Sequence, residues 1–228
     1  MAEKITVYLE VGKKRVFAGA LDWAGWCRSA KDEEGALQAL LEYGPRYKSA
    51  VGPSARTLRL PKKVSGLDIV QRVTGDATTD FGAPSVPPSA DSRSLDTRDV
   101  TRLQGQLRAA WAAFDRTAAQ AKGALLRKGP RGGGREVDAI VSHVFEADRV
   151  YLSKLGGSLK KKDLESAVDQ TKVLREMILQ VFSGRALGNT VDKPAAKAAT
   201  LWTPRYFARR CAWHALDHAW EIEDRRES

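Results

Sequence analysis

A chain of 228 residues, 43% hydrophobic and 29% charged, has the make-up of a soluble globular protein with room for one large core or two modest ones. No apolar run approaches a membrane span and no positive region precedes an apolar block at the N-terminus, so a cytoplasmic protein without leader or membrane segment is expected. The net charge of +10 permits a polyanionic partner without requiring one, because the excess is spread: 13 Lys+Arg against 10 Asp+Glu (+3) through residue 90, and 25 against 18 (+7) beyond it.

Residues 4–11, KITVYLEV, alternate between faces and carry β-formers; Gly12-Lys13-Lys14 is a turn and Arg15–Ala20 returns, which predicts a hairpin. In DWAGW, Trp23 and Trp26 flank Gly25 in a loop or strand end. Ser29 or Asp32 can cap a helix from about Glu33 to Ser49, with Ala36, Leu37, Leu40 and Leu41 as its apolar stripe. Pro45, after Gly44, is expected to end or kink that helix. Thr57–Leu60 and Leu67–Val73 read as further short strands. Gly75–Ser94, rich in Gly, Pro, Ser, Asp and Thr, reads as a linker or exposed loop, with Asp80, Phe81 and Gly82 able to turn over another part of the chain.

From Leu95 to about Lys128 the pattern is helical, with Val100, Leu103, Leu107, Trp111, Phe114 and Ala118 at three- and four-residue steps. GPRGGGR ends this helix and reads as a connection in preference to an anion-binding loop. A second helix runs from about Arg135 to Leu155, with His143, Ile140, Ala147 and Val150 on one face and Gly156-Gly157 closing it. A third runs from about Lys162 to Gly184, its stripe being Leu164, Ala167, Val168, Thr171, Leu174, Ile178, Val181 and Phe182. The last begins with Thr203 as N-cap and Pro204 at the first helical position, and continues to about Arg226. The basic runs Arg127–Arg135 and Lys160–Lys162 read as solvated surface. The expected fold is α+β: a hairpin, helix and strand over residues 1–75, a connection over 76–94, and a four-helix bundle over 95–228.

The chain's three histidines all fall on expected helices, and two of them, His214 and His218, stand four residues apart. That spacing puts both on one helical face, in a stripe with Phe207, Cys211 and Ile222. Two imidazoles so placed can chelate one cation, as in the zinc helix HExxH, although here Ala215 follows His214 where that motif has glutamate. Taken alone, an HxxxH pair is more often core or surface histidines at a chance spacing than a metal site. The third helical histidine, His143, tips the balance to a metal. Cys211 is read as a small buried residue in preference to a fourth ligand, and Cys27 and Cys211 as reduced thiols. Glu221, Asp217, Glu146 and Asp148 are read as surface charges before second partners of the histidines, and Arg205, Arg209 and Arg210 as a solvated face before a carboxylate clamp.

The succession of hairpin, DWAGW, acidic helix and strand is similar to the small α/β domain of HicB-like proteins, over roughly the first 50 to 75 residues. No DNA-binding segment of that family is seen, so nucleic acid is not the expected partner. The motifs SHVFEADRVYLSKL and RRCAWHALDHAWEIEDR resemble the DinB/YfiT superfamily of metal-binding four-helix bundles, over residues 95–226. The resemblance implies that His143, His214 and His218 hold a divalent transition metal, zinc first and nickel, iron or manganese as alternatives, with a coordination position open. Some members of that superfamily are transferases or isomerases that use mycothiol, bacillithiol or glutathione. The implied function is a metal-dependent small-molecule transferase or hydrolase working with a low-molecular-weight thiol or water. A non-catalytic metal-binding or oligomerisation protein is the alternative, a HicB-like nucleic-acid-associated regulator the more distant one, and a homodimer is compatible with either.

Overall fold

The computed structural model describes residues 4–128, 134–160, 168–188 and 201–227, a mixed α+β chain with a sheet at the N-terminus and helices after it. The alternation in KITVYLEV becomes strand β1 (Ile5–Val11), which turns back antiparallel into β2 (Val16–Ala20). A short strand β3 (Cys27–Ala30) extends the sheet beyond β2, and β4 (Leu67–Thr74) pairs parallel with β1, giving the order β3-β2-β1-β4. Thr57–Leu60, expected as a strand, forms no regular element. It follows a short turn of helix and is anchored by Leu58, which is buried and accepts a bond from Lys48 Nζ at 2.8 Å.

Helix α1 (Glu33–Val51) starts where Asp32 accepts from the Gly35 N–H at 2.8 Å. It neither stops nor breaks at Pro45 but continues one and a half turns beyond it, because Tyr47 and Val51 are buried there. Tyr47 stacks on Trp26 with ring centroids 5.7 Å apart, its hydroxyl donates to the Ala24 carbonyl, and the Trp26 indole donates to the Leu40 carbonyl at 2.8 Å. These tertiary contacts outweigh the local cost of a proline.

The segment 76–94 is not a free linker. Asp76 caps a short helix α2 (Ala77–Phe81), and Glu10, fully buried on β1, accepts from the Thr79 hydroxyl and the backbone N–H groups of Ser85 and Val86. Farther on, Ser89 N–H donates to Gln71, and Asp91 forms a buried ion pair with Arg209, whose Nε lies 3.1 Å from Asp91 Oδ1. Composition marked the segment as irregular, but its polar groups are used as a strap across the sheet.

Helix α3 (Thr97–Gln120) ends at Gln120, well before Lys128; the chain then returns to bridge Leu126 with Arg226. Helix α4 (Val137–Lys154) closes at Gly156, whose φ of 92° favours glycine, with Gly157 N–H bonded to the Leu152 carbonyl. Val137, Val144, Asp148, Tyr151 and Leu152 are its buried residues beside Ile140, whereas Val150 is exposed. Helix α5 (Gln170–Ala186) is capped by Asp169, which leaves Val168 outside it and exposed; Leu164, Ala167 and Lys161-Lys162 lie outside the described residues, as do most of GPRGGGR and the loop holding Asn189 and Pro194. Helix α6 (Pro204–Arg225) has the expected Thr203 cap and packs along α3, and α4 lies against both α6 and α5.

A single apolar cluster joins Val7 and Leu9 of the sheet, Leu40 of α1, Leu107 of α3, Ile140 of α4 and Phe207 of α6. Gly25 is where the N-terminal part meets α6. Its φ is 93°, and a Cβ there would come within 2.8 Å of Leu216 and 3.2 Å of Ala212. Gln106 of α3, buried completely, reaches the same loop through the Ala24 N–H and the Asp22 carbonyl. Among the described residues, no helix is long and apolar enough to cross a membrane.

Removing Asp91 leaves the Arg209 charge buried without its carboxylate. Asp91→Ala is therefore expected to cost about 3–5 kcal/mol of stability in urea denaturation. Asp80→Ala, which loses only an exposed bond from the Lys14 N–H, should cost less than about 1 kcal/mol; equal losses in the two variants would contradict this account.

Candidate metal centre

The i, i+4 spacing on α6 works as the helix geometry requires. The His214 and His218 rings lie 4.6 Å apart, and α4 brings His143 to 5.1 Å from the first and 4.9 Å from the second. One ring nitrogen from each histidine falls within 4.8 Å of the other two, so the three could hold a metal ion. His214 is buried, and His143 and His218 are half-buried, which leaves the cluster reachable from one side.

Two details bear on whether a cation fits. His143 Nε2 and His214 Nε2 face each other at 3.2 Å. Two nitrogens each about 2.0–2.1 Å from one metal, at tetrahedral or octahedral angles, stand about 3.0–3.4 Å apart, so this edge already has the right length. The second detail is on His218, whose Nδ1 lies 2.7 Å from Glu221 Oε2. A neutral imidazole that donates Nδ1–H to a carboxylate leaves its Nε2 lone pair free for a cation.

Glu221 is thus an orienting carboxylate, not the surface charge expected of it. Its other oxygen accepts from Arg225 Nη1 at 2.6 Å, and Arg225, itself buried, donates to the backbone carbonyls of Arg127 and Arg135. The steps 214, 218, 221 and 225 are one helical ladder. Arg225 escaped notice, although its place four residues after Glu221 on the same face was readable. The bonds from His218 and Arg225 hold the Glu221 carboxyl below the usual range.

Protonation favours the ligand form. Burial, with the nearby His218, depresses His143; burial, with His218 and Arg210, depresses His214 well below the ordinary imidazole value. Both rings are neutral at pH 7.

The remaining residues divide clearly. Asp217 pairs with Arg28 at 3.0 Å and Glu146 with Arg149 at 2.9 Å, away from the rings. Cys211 shares the stripe of His214 but donates its S–H to Asp148 at 3.4 Å, and burial pushes its thiol pKa up; Cys27 is likewise raised, to about 12. Neither thiol is a nucleophile at neutral pH. Arg205 bonds Asp99 and the carbonyls of Arg93 and Ser94, and Arg209 is committed to Asp91. Arg210 has no such partner and lies against aromatic rings. A cleft of about 530 Å³ between α3 and α5, lined by Trp111 and Arg175, is separate from the histidines.

No family model, curated protein or solved structure matches this chain. The chemistry of the cluster therefore rests on its own geometry.

Asp148 supplies a measurable pH dependence near this centre. It is 2% exposed, 3.7 Å from Arg175, and burial lifts its carboxyl from 3.8 to about 6. The folded state then binds the proton more tightly than the unfolded state, so this group's contribution is most favourable below about pH 4 and is lost as pH rises through about 6. Between pH 4 and pH 7 the wild type should lose about 2 kcal/mol relative to Asp148→Asn, measured by urea denaturation of both. A difference between the two that stays constant over that range contradicts the shift.

Proposed function

We propose that this chain is a divalent-metal protein of the DinB/YfiT kind, with α3, α4, α5 and α6 as its four-helix bundle and the histidine cluster as its centre. It acts on a small molecule as a metal-dependent transferase or hydrolase, with a low-molecular-weight thiol or water as the attacking group. Zinc is the first choice of metal, and imidazole donors serve nickel and iron as well.

One observation carries the reading: nitrogens from two separate helices converge within 4.8 Å, and a carboxylate fixes the tautomer of one of them. A core histidine needs only its own partners satisfied, and has no reason to meet two others. Three protein ligands leave a place for a further group, the pattern of catalytic sites and not of closed structural ones. When bound, the ion supplies Lewis acidity and lowers the pKa of a coordinated thiol or water. The chain's own part is to present three imidazoles, His143 from α4 and the other two from α6. Glu221 keeps His218 turned inward, and Arg225 holds Glu221 in place. The protein's own cysteines are buried and protonated, so an attacking sulfur comes from a separate thiol.

Elemental analysis of the purified chain should find about one transition metal per molecule. His214→Ala and His218→Ala should each lose it, and Glu221→Ala should bind it about 10–100-fold more weakly. Unchanged metal content in both histidine variants refutes the site. In cobalt-loaded protein, added thiols should shift the visible ligand-field bands; indifference to every thiol favours a binding protein over a thiol-dependent enzyme.

A further inference from the structure

On α6, the run Tyr206–Leu216 is buried residue after residue, with one interruption at Arg210. Its guanidinium carbon lies 4.6 Å from the centre of the Trp213 ring and 5.4 Å from that of Tyr151. One of its terminal nitrogens is buried and without a hydrogen-bond partner among the described residues. Cation–π contact offsets part of the desolvation, but the N–H groups of that nitrogen are unused. The two neighbouring arginines, Arg205 and Arg209, show what the fold does with such groups elsewhere, since each is bonded to a carboxylate.

Arg210 precedes His214 by one helical turn. The Tyr151 ring is near both, 5.4 Å from the guanidinium and 5.6 Å from the His214 ring, which puts the guanidinium within about 11 Å of that ring. A recess on its other flank, lined by Tyr206, Trp213 and Cys27, has a volume of about 10 Å³, room for one water at most. A water there satisfies one N–H group of that nitrogen and leaves the other for a further acceptor.

We infer that Arg210 is a specificity-determining residue that holds the carboxylate of a small ligand whose other end reaches the histidine-held metal. The inference rests on the metal reading above and adds the charge of the ligand to it. The ligand class is a short-chain carboxylate carrying a metal-binding donor a few bonds away, a mercapto acid being the simplest. The planar fork of arginine matches a carboxylate in two parallel bonds, which a lysine cannot make.

The test uses full-length cobalt-loaded protein, titrated in parallel with 3-mercaptopropionate and with 2-mercaptoethanol, which lacks the carboxylate. Binding is followed by the sulfur-to-cobalt charge-transfer absorption. Wild type should bind the acid at least about tenfold more tightly than the alcohol. Arg210→Met should bring the two affinities together while cobalt content stays at the wild-type level. Arg210→Lys, which keeps the charge and the aliphatic stem, should retain only part of the preference and guards against a folding defect in the first variant. Equal affinities in wild type overturn the inference. So does a preference undiminished in Arg210→Met, since the metal alone would then be chelating the carboxylate. Both of those outcomes leave the metal reading standing; a chain that takes up no cobalt ends both.

Discussion

Helix α6 is enclosed on nearly every side, and a helix so enclosed cannot leave its polar groups to water. Tyr206 to Arg209 and Cys211 to Leu216 are all buried, a run too long to lie on one face. Each polar side chain on it must therefore find a partner inside the protein or remain costly. Arg209 finds Asp91, Tyr206 donates to the Ser85 carbonyl, and Cys211 donates to Asp148. Much of the rest of the chain is arranged to supply those partners. The strap over residues 76–94 crosses the sheet to bring Ser85 and Asp91 to α6, and Glu10 on β1 holds the strap where it must be. Gly25 lets the DWAGW loop approach the helix backbone closely, and Trp213 meets Phe17 and Cys27 on the sheet.

The histidine cluster is the place where this requirement is met by the side chains themselves. His214 and His218 share a face, and the nearest polar groups facing them are His143 and Glu221. Burial and the neighbouring positive charges disfavour a proton on His143 and His214, so the lone-pair-bearing forms of those two rings are favoured. The same burial that makes a proton unwelcome on His143 and His214 readies their nitrogens for a divalent ion, whose charge is shared over several donors. Among the described residues the His214 Nδ1 has no partner, so no hydrogen bond at that nitrogen orients the ring.

Much of this was legible in the sequence where the signal is local. Thr203 and Pro204 announce the start of α6, alternation gives β1 and β2, and HxxxH needs only helical periodicity to put two rings together. The failures have a common cause, which is that a distant contact overrides a local preference. Pro45 stays within α1 because Tyr47 and Trp26 stack beyond it. A loop composition over 76–94 conceals the bonds to Glu10 and Arg209, whose partners lie 75 and 118 residues away. Val150 and Val168 fit an apolar period but fall on exposed positions, where apolarity alone does not say which face is covered. Glu221 reads like any surface carboxylate because the i, i+4 spacing of Arg225 puts the two on one face without showing that Arg225 is buried, with further bonds to the Arg127 and Arg135 carbonyls.

Electrostatics sets the character of the cluster beyond its ligands. Glu221 is the one carboxylate bonded to a ring of the cluster among the described residues, and Arg225 already neutralises it. The charges of Arg135 and Arg210 are both felt at His214. An added divalent ion would then sit in surroundings already poor in negative charge. Its net effect is a positive potential in a half-enclosed space, where fields are screened less than at the surface. A carboxylate-rich site traps a cation firmly and leaves it little charge to exert on anything else. Imidazoles beside the charges of Arg135 and Arg210 would do the opposite: they would bind an ion less tightly and leave most of its charge to act on whatever anion completed the shell.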